Sequence, residues 1–287
     1  MQETGRVDSR DSLLRAARTR LRSAGLDYAD EDALVLVERA LGLSRAELLA
    51  DPDSPVPAPE ASRVRDWVER FAAGEPLAYL EGSVGFRHLE LAVDGRVLVP
   101  RADSEALVDL GLEALAGRTA PQVIDVGTGS GCLLLALLDE CPAATGLGLD
   151  CSRDALAVAK ANAARCALSD RAAFAESDWL SAADAESADL IVSNPPYVEP
   201  GEALGYGVAE YEPALALFTP EGAPLHAYQA LVEQAPRVLL PGGALLLEVG
   251  AGRADAVAAL AARNGFSERG RRRDLGGIER ALLLGRD

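Results

Sequence analysis

The sequence has no stretch able to cross a membrane, almost no histidine, and a shortage of positive charge. Its longest uninterrupted apolar run, Cys132 to Leu138, falls far short of the ~20 residues a spanning helix needs. The opening MQETGRVDSRDS is polar and carries both signs of charge. A secretory signal is therefore not expected, and the cytoplasm is the expected compartment. Only 28 basic residues stand against 45 acidic ones, for a net charge of -17. Proteins that grip nucleic acid through its phosphates normally show a basic face, so neither nucleic acid nor membrane is expected as a partner. The densest basic cluster, Arg269, Arg271, Arg272 and Arg273, reads as a solvated strand-and-loop edge. No two of the four cysteines, Cys132, Cys141, Cys151 and Cys166, have the spacing of a zinc knuckle or redox motif, and the histidines are His88 and His226 alone. No metal site is expected, and the thiols read as small buried residues in a reduced compartment. No internal repeat or low-complexity tract is visible.

What is present is ordinary globular material. The 287 residues are 49% hydrophobic and 25% charged, enough for a real core in two domains or one large one. The first eighty residues carry helical periods: Leu13, Leu14, Ala17, Leu21, then Ala33, Leu34, Val37, Leu41. Gly25 and Gly42 fall at helix ends, and Ser44 is placed to start a short third helix. The proline-rich stretch Asp51–Pro59 predicts a loop, and a fourth helix is predicted over Pro59–Ala73. Two β-prone runs, His88–Val93 and Arg96–Pro100, flank Asp94-Gly95 and predict a hairpin. A helix follows over Ser104–Leu115. Short apolar runs then alternate with helical periods: Gln122–Val126, Gly146–Leu149, Ala172–Ala175, Leu190–Ser193, Ala244–Val249 and Ala281–Leu284. Such alternation predicts an α/β fold with a mostly parallel sheet between helices. The expected division is a helical segment over 1–80, a hairpin connector over 81–100 and an α/β domain over 101–287.

The first of these strands ends in Asp125-Val-Gly127-Thr128-Gly129-Ser130-Gly131 and enters an apolar helix. Alternate glycines let the backbone turn tightly and approach a ligand over the carboxyl edge of the sheet. Dinucleotide folds use a related spacing, but here Cys132 stands where their last glycine belongs. Asp125 is placed to meet a cation. Asp150, 19 residues past Gly131, ends the next strand, where a carboxylate can accept both ribose hydroxyls. The third strand ends in Asp178-Trp179, an acid beside an aromatic plane that suits an adenine amino group and ring, although a core tryptophan would read the same.

The fourth strand ends in Asn194-Pro195-Pro196-Tyr197. Two prolines fix φ, and the residue before each is pushed to extended geometry. The Asn194 amide oxygen and the Pro195 carbonyl are both acceptors, so together they can bind the two hydrogens of a planar NH2 group, with Tyr197 against its flat face. A proline-stiffened turn would explain the rigidity but not the choice of Asn and Tyr.

With these residues in place, the chain resembles the protein N5-glutamine methyltransferases of the release-factor type. The shared segments are Glu75-Pro-Leu-Ala-Tyr79, Val99-Pro100-Arg101, the Asp125–Gly131 turn, Asn194–Tyr197, Tyr211-Glu212-Pro213, Pro241-Gly-Gly243 and Glu248-Val-Gly250. The resemblance implies a Rossmann-like class I methyltransferase domain with a mostly parallel seven-stranded sheet, preceded by a helical substrate-recognition domain. It implies S-adenosylmethionine as donor, held by Gly127 through Gly131, Asp150, Trp179 and Asn194, and on the reading of the residues Asp125 and Asp178 are expected to join them. It also implies a protein glutamine as acceptor, in the Gly-Gly-Gln motif of peptide chain release factors, and a monomer is the working expectation. The tetrad Asn194–Tyr197, with Arg101 and Glu105, is then expected to hold the substrate. Two segments depart from the family pattern: Arg101-Ala-Asp-Ser-Glu105, and Phe86 followed by Arg87-His88. Competing readings are an N-methyltransferase of exocyclic adenine amino groups in DNA or RNA, which shares the tetrad, and one acting on another protein or a small amide. A nicotinamide oxidoreductase gives the tetrad no role, and a non-catalytic module would not need both motifs intact.

Overall fold

The computed structural model describes residues 8–274 and 276–286. They fall into two compact units: the chain up to Gly82 together with Leu204–Tyr211, and Ser83–Ala203 together with the chain from Glu212 onward.

The first unit is helical: α1 (Arg10–Ser23), α2 (Ala29–Leu41), α3 (Arg45–Ala50), α4 (Ala58–Ala72) and α5 (Leu77–Glu81). Ser9 and Ser44 start α1 and α3 with reciprocal capping boxes, Ser44 with Glu47, each satisfying two otherwise unpaired N–H groups. Gly42 closes α2 at φ 68°. One apolar face of each long helix meets in a core of Leu13, Leu21, Leu36, Val37, Val64 and Val68. The proline-rich loop between α3 and α4 folds in, with Val56 buried and its N–H donated to the Asp8 carbonyl at 2.8 Å. The segment Leu204–Tyr211 belongs here because backbone meets backbone: a Cβ on Gly207 would stand 1.7 Å from the Gly74 carbonyl oxygen. Tyr206 adds a hydroxyl bond to the Ala72 carbonyl at 2.9 Å.

The second unit opens with an antiparallel hairpin, β1 (Ser83–Phe86) and β2 (Leu89–Ala92). This corrects the expected hairpin. Its turn is Arg87-His88, with Arg87 at φ 53°, and the span 96–100 is not a strand. Asp94-Gly95 does turn the chain, Val97 N–H reaching the Asp94 carbonyl at 3.1 Å. Beyond it, the Glu212 carboxylate rather than a strand takes the Val99 N–H, at 3.1 Å. Arg87 makes its position rigid through Glu140 and Asp109, both at 2.7 Å.

After a 3-10 turn at Ala102–Ser104 come α6 (Glu105–Leu115), β3 (Gln122–Val126), α7 (Cys132–Glu140), β4 (Thr145–Asp150), α8 (Arg153–Arg165), β5 (Ala172–Glu176) and β6 (Ala188–Ser193). Then follow α9 (Val208–Tyr211, within the first unit), α10 (Ala214–Leu217), α11 (His226–Val238), β7 (Leu239–Glu248), α12 (Ala254–Arg263), β8 (Phe266–Arg273) and β9 (Glu279–Arg286). The seven strands run in the order β5-β4-β3-β6-β7-β9-β8, parallel through β7 and antiparallel for the last two. Successive residues serve opposite faces, as the pleat requires. Val123, Leu190 and Leu246 join one core with α6 and α7, while Ile124, Ile191 and Leu245 join the other with α11 and α12. α7 is buried from Leu133 through Leu138, which is why its sequence is apolar all round.

β8 has no counterpart among the apolar runs because it is an edge strand in which Phe266 alone is buried. Its arginines are paired, Arg271 with Glu268, Asp255 and Glu279, and Arg272 with Glu113. The cysteines depart from expectation. Cys151 is exposed and the other three are only half-buried, because all sit at the ends of elements rather than on inward faces. Among the described residues, no helix is long and apolar enough to cross a membrane.

Candidate active site

The chain builds β3, β4 and β5 outward in one direction and β6 and β7 in the other, so the order reverses between β3 and β6. At such a switch point the connections leave in opposite directions and open a crevice at the carboxyl ends of the strands. A cavity of about 560 Å³ lies there, in the range of small-molecule sites. Its wall includes Asp125, Gly127 through Ser130, Asp150, Asp178, Trp179, Asn194, Pro196 and Arg101.

The glycine turn is held by backbone. Gly127 and Thr128 both donate N–H to the Leu149 carbonyl, at 2.8 and 2.9 Å. Gly127, Gly129 and Gly131 take φ 70°, 54° and 84°, conformations that disfavour any side chain. A Cβ on Gly127 would point into open space. Asp150 receives the Gly129 N–H at 2.9 Å on one oxygen and the Ser152 N–H at 2.9 Å on the other. Asn162, fully buried on α8, ties this turn to the hairpin: its Oδ1 accepts from Ala92 N at 2.7 Å, and its Nδ2 donates to the Ala92 and Ser130 carbonyls at 3.0 and 2.9 Å.

Asp125 is 1% exposed. Its Oδ2 accepts from Thr128 Oγ1 at 2.7 Å and Leu134 N at 3.3 Å. Oδ1 is buried with no hydrogen-bond partner among the described residues. Burial pushes this carboxyl up to about 7, since a charge there is poorly solvated. An orphaned acidic oxygen beside an open glycine turn fits a ligand that brings its own positive charge.

Across the cavity the tetrad follows β6. Ser193 anchors the strand end by donating to the Val126 carbonyl at 2.7 Å. Asn194 Nδ2 donates to Ser104 Oγ at 3.3 Å, leaving Oδ1 without a partner among the described residues. Ser104 in turn donates to Glu248 Oε2 at 2.5 Å. Tyr197, expected to lie against a bound nitrogen, is off the cavity wall. Its hydroxyl donates to Glu248 Oε1 at 3.4 Å, and burial pushes that phenol up to about 12. Pro195 is buried and also off the wall. Arg101 lines the cavity while paired to the fully buried Glu212 side chain. Glu105, expected at the substrate, instead accepts the Arg87 backbone N–H at 3.1 Å and holds the hairpin turn. Sequence reasoning missed Ser104 and Glu248 as parts of the site, and also Leu215, Phe218 and Pro220 on its wall. The segment Glu248-Val-Gly250 pointed at one of them, whereas Leu215–Pro220 has no periodicity to find.

Among solved structures, the chain is similar to a methyltransferase from Pyrococcus furiosus (TM-score 0.51, 15% identity, 76% of this chain and 96% of that one). It is also similar to the ribosomal protein L11 methylase from Lactobacillus delbrueckii subsp. bulgaricus (TM-score 0.52, 20% identity, 71% and 98%). The shared fold is that of the class I S-adenosylmethionine-dependent methyltransferases. Residues 12–82 match the PrmC N-terminal domain and residues 103–210 the methyltransferase small domain. The chain is 41% identical over 272 residues to the release factor glutamine methyltransferase of Caulobacter vibrioides, covering 93% of each chain. To the enzyme of that name from Bordetella pertussis it is 43% identical over 251 residues, covering 87% of this chain and 92% of that one. It belongs to the release factor glutamine methyltransferase family.

Proposed function

We propose that this protein transfers the methyl group of S-adenosylmethionine to the side-chain amide nitrogen (N5) of a protein glutamine, and that the acceptor is the Gly-Gly-Gln glutamine of peptide chain release factors. The observation that carries the reading is Asn194, on the cavity wall with its Nδ2 engaged behind it and its Oδ1 unengaged. The names of the relatives support the choice of acceptor.

The cofactor supplies an electrophilic methyl on a cationic sulfur. An amide nitrogen is a poor nucleophile because its lone pair is delocalised into the carbonyl. Positioning and desolvation therefore matter more than acid–base catalysis, and orientation can supply ~7–11 kcal/mol of a barrier. Asn194 Oδ1 accepts an amide hydrogen of the substrate, while the buried Pro195, off the cavity wall, takes no direct part. Positive charge developing on that nitrogen strengthens this bond in the transition state. The amide then gives up one proton in exchange for the methyl. Gly127 through Gly131, Asp125, Asp150, Asp178 and Trp179 hold the donor, and Arg101 borders the entry of the acceptor. Tyr197 acts behind the site through Glu248 rather than on the nitrogen. The helical unit recognises the release factor, a role supported by its match to the PrmC N-terminal domain.

Incubation with labelled S-adenosylmethionine and release factors from the same cell, followed by mass spectrometry, should place one methyl on the Gly-Gly-Gln glutamine. Label on another residue, or on ribosomal RNA or DNA offered alongside, would refute it.

A further inference from the structure

The Asn194 amide has two ways round with opposite chemistry: one offers the cavity an acceptor, the other offers donors. The residues behind it choose between them. Glu248 is 2% exposed and ends β7, and its two carboxylate oxygens take the Ser104 hydroxyl at 2.5 Å and the Tyr197 hydroxyl at 3.4 Å. A carboxylate has no hydrogen to give. The Ser104 hydrogen is therefore committed to Glu248, and the Ser104 oxygen, itself buried, has only lone pairs left for Asn194 Nδ2 at 3.3 Å. Asn194 must donate backward and accept forward.

We propose that Ser104 and Glu248 are positioning residues for the methyl transfer: the ionised Glu248 polarises a one-way chain of hydrogen bonds, Asn194 to Ser104 to Glu248, that fixes the Asn194 amide oxygen toward the acceptor nitrogen. The proposal rests on the reading of Asn194 as the group that grips the substrate amide. Ser104 lies about 90 residues before Asn194 and Glu248 over 50 after it, so the chain exists only once α6, β6 and β7 have assembled.

The polarity is open to titration. Burial raises the Glu248 carboxyl to about 7, opposed by the Ser104 bond, Arg280 on β9 and the Tyr197 bond, and reinforced by Asp103. Tyr228 on α11 and Cys132 on α7 also face it. Once protonated, Glu248 can donate to Ser104, whose hydrogen then turns to Asn194 Oδ1 and reverses the amide.

The test is single-turnover methylation of a release factor by the full chain, with donor and acceptor saturating. S104A should slow the step about tenfold, while S-adenosylhomocysteine affinity by calorimetry stays within about twofold. In an N194A background S104A should add no further loss, because both substitutions break one chain. Ser104→Thr, which keeps the hydroxyl, should restore most of the rate. The wild-type rate should fall as pH drops through about 7, and that fall should vanish in S104A. Equal slowing by S104A with and without Asn194, or an S104A rate equal to wild type, would overturn the positioning role. An N194A enzyme at wild-type speed would instead bring down the reading of Asn194 itself.

Discussion

The two ends of the cavity are built from different materials. The glycine turn is backbone work: its N–H groups bond the Leu149 carbonyl and Asp150, and its shape follows from three glycines with positive φ. The tetrad end is side-chain work, in which Asn194 takes its orientation from Ser104 and Glu248. A backbone turn is local and tolerates change around it. A side-chain network spread over more than a hundred residues of sequence holds only when every member is present. Each end nevertheless buries one acid, Asp125 at the turn and Glu248 at the tetrad. The groups that act on one carboxyl do not include the other.

Acid behaviour is the broadest way to break that comparison. Burial raises Asp125 from 3.8 and Glu248 from 4.5, each to about 7. Between those values the folded chain keeps protons that the unfolded chain has released. The stabilisation is full below about 4 and is lost as pH rises through about 7. Each tenfold difference in proton affinity between the folded and unfolded chain is worth ~1.4 kcal/mol. Urea denaturation should therefore show a loss of roughly 2 kcal/mol or more between pH 5 and 8. D125N and E248Q should each remove part of that slope, and independently. Stability that rises over the same interval would show that neither acid is held neutral by burial.

How much was legible follows the same division. The strands β3 through β6 and the Asp125–Gly131 turn could be read because their signals are contiguous: an apolar run, then alternate glycines. Asn194 was legible for the same reason, being fixed by two adjacent prolines. The hairpin was misread because Asp94-Gly95 is a strong local turn signal, yet Val97 and Val99 are drawn into the core and Glu212, more than a hundred residues on, takes the Val99 N–H. β8 gave no apolar run because an edge strand lined with arginine has no apolar alternation, and only its arginine cluster, read as a solvated strand-and-loop edge, marked it. Glu105 looked like a substrate residue and holds the Arg87 turn instead. Long-range polar partners leave no trace in spacing.

Asn162 sharpens the contrast, since it is a buried side chain from another helix on which the backbone-built end leans. Its amide satisfies both backbone groups of Ala92 and the Ser130 carbonyl. Asn162→Ala leaves those groups unpaired inside the fold, at a cost of ~2–3 kcal/mol by the usual penalty for buried polar groups. Denaturation should register that loss together with weaker donor binding, because Ser130 lies in the turn. A variant as stable as wild type would mean that water or a shifted backbone replaces all three bonds.

Gly129→Ala has the smallest and most local expected effect. At φ 54° an alanine is strained by ~1–2 kcal/mol, and its Cβ would meet nothing nearer than the Gly127 carbonyl oxygen at 4.0 Å. The methyl group therefore costs little in packing within the chain and intrudes where a donor has to lie. The Gly129 N–H to Asp150 can survive the change. Calorimetry with S-adenosylhomocysteine should show affinity lower by about tenfold, the equivalent of ~1.4 kcal/mol. In steady-state assays the loss should appear in the KM for S-adenosylmethionine more than in kcat, because nothing in the Asn194–Ser104–Glu248 chain is touched. A fall in kcat with donor affinity intact would mean that the backbone turn and the side-chain network move as one body, and that the two ends are not separable.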